Sequence, residues 1–365
     1  MSEEYTLYGT PFSMYTGKAR AYFQVKDIPY NEEFASLKVF KNIIIPKTGT
    51  RFIPVVKTPD NLFLQDTATI IDEIETKSAK NAIVPTLPKR KIISLIFELW
   101  ADEWLIIPAM HYRWNKDNFP FLYQEFGRIV APHMPSFVRG YLGKKVAQRF
   151  KGYVPALGIT DRMIPSIESW FENTVLHYLN AHFERSHFVL GDTPTLADVS
   201  LMGPLFAHMY FDPAPKAMME KIAPNVCDWI KRMQNTTLAN LTDEVDDYIP
   251  ETLTPILTNI FEEHWPVLLN TVIEIEEWAN TYPDEHDVPR SIGRHGFRIG
   301  HQKGSRAILP FSQWKLQRVL DTYQQLPESD KRNVDELLVK VRGADAMQFK
   351  INKRVALERG RLKLI

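Results

Sequence analysis

The first 77 residues switch repeatedly between two-residue and three-to-four-residue hydrophobic periods. Tyr5 and Leu7 alternate with polar neighbours like a short strand, and Gly9-Thr10-Pro11 breaks it. From Tyr15 onward Ala19, Tyr22, Phe23 and Lys26 recur at helical steps, so Ser13 falls in the turn, at or just before a helix N-terminus. Ile28 to Glu32 is a second strand candidate, and residues 34–50 are less regular. Phe52 to Val56 is a β-branched run with a proline inside it. A proline cannot donate to a strand ladder, and a cis Ile53–Pro54 bond just before the strand removes the conflict. Thr58-Pro59-Asp60-Asn61 predicts a turn, and Leu62-Phe63-Leu64 the returning arm of a hairpin. Asp66-Thr67 then precedes a helical stripe of Ala68, Ile70, Ile71 and Ile74. The order is β-α-β followed by β-β-α.

After a proline-dotted linker, Pro85 to Pro88, the pattern turns helical. Residues 89–114 predict one long amphipathic helix that Pro108 should kink or split. Its apolar run is interrupted by Glu98, Asp102 and Glu103, which marks a buried helix and not a membrane span. Residues 118–160 are aromatic, basic and broken by Pro and Gly: short helices or a folded loop. Arg162 to Arg185 reads as a helix. Thr195 and Asp198 have capping-box spacing, with Asp for the usual Glu, ahead of a helix from 196 to about 210 that is apolar nearly all round and therefore central. Beyond residue 240, Glu251 to Trp278 predicts one or two helices, and Gln313 to Leu326 and Lys331 to Val341 two more. Arg290 to Arg306 is a Gly-rich basic loop, and Lys350 to Lys363 a basic amphipathic tail.

A chain of 365 residues has room for two or three domains. Lys plus Arg and Asp plus Glu both total 44, so there is no whole-chain basic footprint for nucleic acid. Cys227 is the single cysteine; it excludes an intrachain disulfide, fits a reducing compartment and reads as a small buried hydrophobe. No basic-then-apolar leader is visible, so the expectation is a cytoplasmic protein. The Gly-rich loop lacks the strand, helix and Gly-Lys-Ser/Thr ending of a phosphate loop. A solvated connector is its plainer reading; an anion site, or a flap over the binding cleft or a partner subunit, is the sharper one. His295 and His301 have no acidic or cysteine neighbour that would complete a metal site.

Four segments in this order resemble the glutathione transferases. Ser13-Met14-Tyr15-Thr16-x-Lys18-x-Arg20 is similar to the start of that family's first helix, with Met14 where the family often has proline. Ile53-Pro54 is similar to its cis-proline element, and Asp66-Thr67-x-x-Ile70 to its acidic-Ser/Thr helix start. Gly191-Asp192-x-Pro194-Thr195-x-Ala197-Asp198 is similar to its buried capping-box helix. The resemblance, to a serine-type, bacterial-like member, covers residues 1 to about 238. It implies an α+β thioredoxin-like domain (1–84), then an all-helical domain with an acceptor-substrate pocket (89–238), then a mainly helical extension (239–365).

By that resemblance Ser13 is the catalytic hydroxyl that donates to the sulfur of glutathione, the co-substrate. The backbone of Ile53, held open by Pro54, would pair with the cysteinyl backbone; Asp66 and Thr67 would hold the γ-glutamyl amine and carboxylate. The chemistry needs such help, because a thiol of pKa about 8.5 is only a few per cent thiolate at neutral pH. Tyr15, His111 and Trp114 are candidates for the acceptor pocket, where a hydrophobic electrophile would take up the sulfur. Tyr8 and Thr10 are rival hydroxyls, with packing the plainer reading for Tyr8. A homodimer is expected from the family, with no nucleic acid, metal or membrane span. Two alternatives stand beside the transferase. One is a non-catalytic glutathione-transferase-like binding or scaffold protein, in which Ser13 is only an N-cap; the other is a glutathione-dependent lyase or dehalogenase.

Overall fold

The computed structural model describes residues 4–78, 80–238 and 246–365. The chain runs β1 (Tyr5–Gly9), α1 (Met14–Lys26), β2 (Tyr30–Phe34), two short turns α2 (Leu37–Val39) and α3 (Ile45–Thr48) joined by a π-helical Phe40–Ile44, β3 (Val55–Lys57), β4 (Phe63–Gln65) and α4 (Thr67–Lys77). The helical part follows as α5 (Pro88–Glu103), α6 (Ile106–Arg113), α7 (Phe119–Val130), α8 (Ser136–Lys151), α9 (Ile164–Trp170), α10 (His177–Phe183), α11 (Leu196–Met202), α12 (Pro213–Ile222) and α13 (Pro224–Met233). Beyond it come α14 (Thr254–Asn259), α15 (Trp265–Thr281), β5 (Asp287–Val288), β6 (Arg294–Ile299), β7 (Gln302–Ala307), α16 (Phe311–Gln324), α17 (Glu328–Lys340), β8 (Val355–Glu358) and β9 (Arg361–Leu364).

These elements fall into two compact units, each assembled from three stretches of chain. The first comprises Met1–Ile83, Pro108–Val154 and Asp198–Leu241. Its sheet has the order β2-β1-β3-β4, with β1 parallel to β2 and antiparallel to β3. Leu7, Val55 and Val56 are fully buried in it. Charge ties the middle and the C-terminal end of α1 to their neighbours. Arg20 Nε and Nη2 donate to the Glu32 carboxylate of β2 at 2.9 and 2.6 Å. Lys26 pairs with Glu75 of α4 at 2.6 Å. The first half of α1 lies against the helical turn Gly203–Tyr210, so closely that a Cβ on Gly17 would come within 2.5 Å of the Ala207 Cβ. Only glycine fits there.

The second unit comprises Val84–Ile107, Pro155–Ala197 and Thr242–Ile365. Buried charge ties its α5 to its C-terminal stretch. Glu98 and Asp102, the interruptions in the apolar run, are each 2% exposed on α5. Lys315 of α16, equally buried, lies 2.8 Å from Asp102 and 3.7 Å from Glu98, and Arg318 donates to Glu98 at 3.2 Å. A one-residue look along α5 does not reveal that these carboxylates need a cation from more than 200 residues away. The boundary placed at 238/239 borders residues 239–245, outside the described residues.

The long predicted helix is indeed broken, at Trp104-Leu105, and Pro108 sits in the first turn of α6, where a missing N–H is tolerated. The Gly-rich basic stretch is not a loop. It is the β6–β7 hairpin, paired Arg294↔Ala307 through Ile299↔Gln302, and along β6 exposed and buried residues alternate strictly. Buried His295 and Arg306, polar residues on the inner face, masked the strand period. The basic tail likewise forms β8 and β9, which join β5 in a three-stranded sheet.

Candidate functional site

Register brings the N-terminal sequence candidates together. Val55 of β3 faces Tyr8 of β1 on one side and Gln65 of β4 on the other. β3 runs opposite to both neighbours. The residues that follow Tyr8 and Gln65, and the residues that precede Val55, therefore lie at one end of the sheet. They are Gly9 to Ser13, Asp66-Thr67 and Ile53-Pro54, with a cis bond between the last pair.

Ser13 is the N-cap of α1, with extended φ −83° and ψ 127°, and its Oγ accepts from the Thr16 N–H at 3.3 Å. Accepting that bond leaves the hydroxyl proton available to a second acceptor. The first amides of α1 add the positive end of the helix dipole. Asp66 caps α4: one carboxylate oxygen accepts from Ala68 N at 2.9 Å and Thr69 N at 3.2 Å. Its φ of +75° is an uncommon conformation for a residue with a side chain and belongs to the turn that presents Thr67. Thr67 is 1% exposed, and its Oγ1 has no hydrogen-bond partner among the described residues. A buried hydroxyl left unmatched is destabilising on its own, so it points to an acceptor or donor brought by a ligand. Gln65, beside it, braces the loop by donating to Phe52 O at 2.9 Å and accepting from Thr50 Oγ1 at 2.7 Å. Tyr8 is buried and stacked on Phe63 at 6.4 Å, the packing role expected for it. Thr10 is also buried.

A residue absent from the sequence reading holds the other side of the turn. Arg113, at the end of α6, donates to both carboxylate oxygens of Asp212 at 2.8 and 2.7 Å, to Ala207 O at 2.7 Å, and to the carbonyl of Phe12, the residue before Ser13. Asn118 also donates to Asp212, at 2.7 Å. Arg113 and Asp212 are almost wholly buried. Neither belongs to a short motif; an arginine inside an apolar helix was the one available signal. Burial, and then the neighbouring Arg113, holds His208 well below its ordinary pKa, so it is neutral.

Tyr15 is half-buried, His111 and Trp114 are buried, and Trp114 stacks on Phe126 at 5.9 Å within a cluster that includes Phe12 and Leu122. None of the three lines the groove of about 520 Å³ that runs along α1. That groove is lined by Pro11, Gly17 and Ala21 on one side and by Met202, Phe206 and Phe211 on the other. Gly17 and Ala21 continue the helix face that begins at Ser13, four residues apart. Cys227 is buried, and burial pushes its thiol up to about 11, which leaves it protonated and unreactive.

Two family models match the chain: "Glutathione S-transferase, N-terminal domain" over residues 7–82, and "Glutathione S-transferase, C-terminal domain" over residues 171–236. Together they support the glutathione transferase family and its fold, a thioredoxin-like α+β domain followed by helices. No curated protein matches the sequence. Similar solved structures include a glutathione S-transferase from Rhodospirillum rubrum, with 15% identity, 68% of this chain and 97% of that chain covered, and a TM-score of 0.40. Glutathione transferase GSTFuA3 from Phanerochaete chrysosporium has 12% identity over 67% of this chain and all of its own, with a TM-score of 0.44. A rice enzyme solved in complex with glutathione has 15% identity over 64% and 88%, with a TM-score of 0.38. The two family models and the strand register together show the fold. Among the described residues, no helix is long and apolar enough to cross a membrane.

Proposed function

We propose that this protein is a glutathione transferase that joins the glutathione thiolate to a hydrophobic electrophile, with Ser13 stabilising the thiolate. The observation that carries the reading is the shared end of the sheet: the Tyr8–Val55–Gln65 register gathers Ser13, Ile53-Pro54 and Asp66-Thr67. In this reading the backbone of Ile53 pairs with the cysteinyl backbone of glutathione. Thr67 Oγ1 gains its missing partner from the γ-glutamyl carboxylate, aided by the N-terminus of α4, and the Asp66 carboxylate attracts the amine. The Ser13 hydroxyl donates to the sulfur, and each unit by which the thiol pKa falls is worth about 1.4 kcal/mol. The sulfur then bonds to the electrophilic carbon, and the leaving group departs with its electron pair.

The acceptor side is the groove along α1, whose Met202, Phe206 and Phe211 offer an apolar wall. Trp114 backs that wall through the cluster on which Phe211 packs, and Tyr15 and His111 stay candidates for the acceptor side. A homodimer in a reducing, cytoplasmic setting fits this reading, and an inert Cys227 leaves thiol–disulfide chemistry without a protein thiol at the site.

The test is calorimetric binding of glutathione together with turnover of an aryl halide, for wild type and Ser13→Asn. Asparagine is an equally good N-cap but has no hydroxyl. Expected are retained binding and a fall in turnover of about 10- to 100-fold, the equivalent of one to two pKa units. Equal turnover by the two proteins would remove Ser13 from the chemistry. The scaffold reading draws on one observation, that Ser13 Oγ already serves as a cap. Binding with no turnover by the wild type would decide for it.

A further inference from the structure

The α7–α8 hairpin carries an uncommon surface. From Phe126 to Thr160 the chain has Arg128, Arg139, Lys144, Lys145, Arg149 and Lys151 and not one Asp or Glu, although acids and bases balance at 44 each over the whole sequence. The same stretch holds exposed apolar side chains. Met134, Phe137, Tyr141, Phe150 and Tyr153 are 45–76% exposed, and Phe137, at 76%, heads the large hydrophobic residues of the described chain.

Packing explains which face is turned out. A Cβ on Gly143 would sit 1.8 Å from Tyr123 O, and one on Gly127 would sit 2.2 Å from Arg139 O, so the two helices touch through glycines. With Gly143 and Ala147 as the buried stripe of α8, the opposite stripe is Phe137, Tyr141, Lys144, Lys145 and Gln148, all exposed. The Lys145 ammonium rests on the Tyr141 ring at 4.7 Å. Among the described residues the ion pairing in this stretch is confined to Arg128 with Glu125, which leaves the outer lysines facing solvent.

We propose that the outer face of α8 docks on an anionic lipid bilayer, lying in the plane of the headgroups. A convex helix face suits a flat surface, whereas single-stranded nucleic acid needs a groove to follow. Phe137, Tyr141 and Met134 enter the acyl boundary while Lys144, Lys145 and Arg149 reach up to the acidic headgroups. A second copy of the chain is a poor occupant, because a two-fold contact through this stripe would set lysine against lysine. The attachment is peripheral and independent of the glutathione site.

Flotation of the full chain with phosphatidylcholine vesicles, and with vesicles of phosphatidylcholine and phosphatidylserine at about two to one, tests this. Expected is binding at least about tenfold stronger to the acidic vesicles, weakened by added salt. The pair Lys144→Glu and Lys145→Glu should lower it by at least about thirtyfold. Phe137→Ser should lower it severalfold in its own right, and both variants should bind glutathione as wild type does. These side chains stand in solvent, so the variants fold. Equal retention by both vesicle types, unchanged binding by either variant, or tighter binding of a single-stranded oligonucleotide than of acidic vesicles would overturn the proposal.

Discussion

Thr67 has two properties that pull in opposite directions: its hydroxyl is buried, and nothing described in the chain bonds to it. Thr67→Val keeps the shape and removes the oxygen. Ligand-free stability, measured by urea unfolding, should be unchanged or higher, while glutathione affinity falls by roughly 10- to 100-fold, the loss of a bond to a charged group. Lower stability with unchanged affinity would make the hydroxyl structural. His182 supports a second prediction at this scale. It is fully buried, with Nδ1 2.7 Å from Thr252 Oγ1 and Nε2 3.2 Å from the Phe188 carbonyl, which can only accept, so the ring proton sits on Nε2. Burial pushes its pKa down to about 4. An unfolded histidine titrates near 6.5, so as pH falls the unfolded state takes up the proton first. Stability present above about pH 6.5 is then lost down to about pH 4, and about 2 kcal/mol of it is gone at pH 5. Urea unfolding at pH 7 and pH 5 should show this loss in wild type and a smaller one in His182→Gln. Ser13, Asp66 and Pro54 were legible in the sequence because caps and cis-prolines are local devices whose signals lie within a few residues. Arg113 and Asp212 were not, since their pairing spans 99 residues.

Among the elements, the β1–α1 turn depends on α6 through that pair. Arg113→Met leaves Asp212 buried without its cation and frees the Phe12 carbonyl. A loss of about 3–5 kcal/mol is expected in chemical unfolding. The close contact of α7 with α8 gives a second expectation. Gly143→Ala drives a methyl into Tyr123 O and should lower the melting temperature by the equivalent of about 1–3 kcal/mol. The helix α4 followed from periodicity, because it buries one face, and the strands β1 and β3 from short apolar runs ended by turn residues. The β6–β7 hairpin was missed for the same physics. Its buried residues His295, Arg306 and Phe297 include two charged or titratable side chains, so a hydropathy pattern reads the inner face as polar. In the fold, Arg306 lies over the Trp104 ring at 5.4 Å, and Trp104 stacks on His264 at 5.0 Å. Such aromatic shelter lets a strand bury charge, and no single-sequence period records it.

For the molecule as a whole, the C-terminal third is part of a folded unit and not an appendage to a shorter protein. Lys315 neutralises carboxylates on α5, so a chain ended near residue 238 would strand Glu98 and Asp102 in an apolar helix. Such a truncation should give insoluble or loosely packed protein, seen as lost near-ultraviolet circular dichroism. Lys315→Met in the full chain should cost about 3–5 kcal/mol. The fold class could be read from residues 1 to about 238, whereas the pairing of α5 with α16 could not, because the charge partners lie more than 200 residues apart in sequence. In the proposed function the sheet end presents Ser13 to the sulfur of glutathione. The most direct measurement is the ultraviolet thiolate absorbance of glutathione bound to the full chain, followed against pH. The account predicts a bound thiol pKa at least about one unit below the free value of about 8.5 in wild type, returning toward that value in Ser13→Asn. A bound pKa equal to the free one, or the same lowered pKa in both proteins, would contradict it.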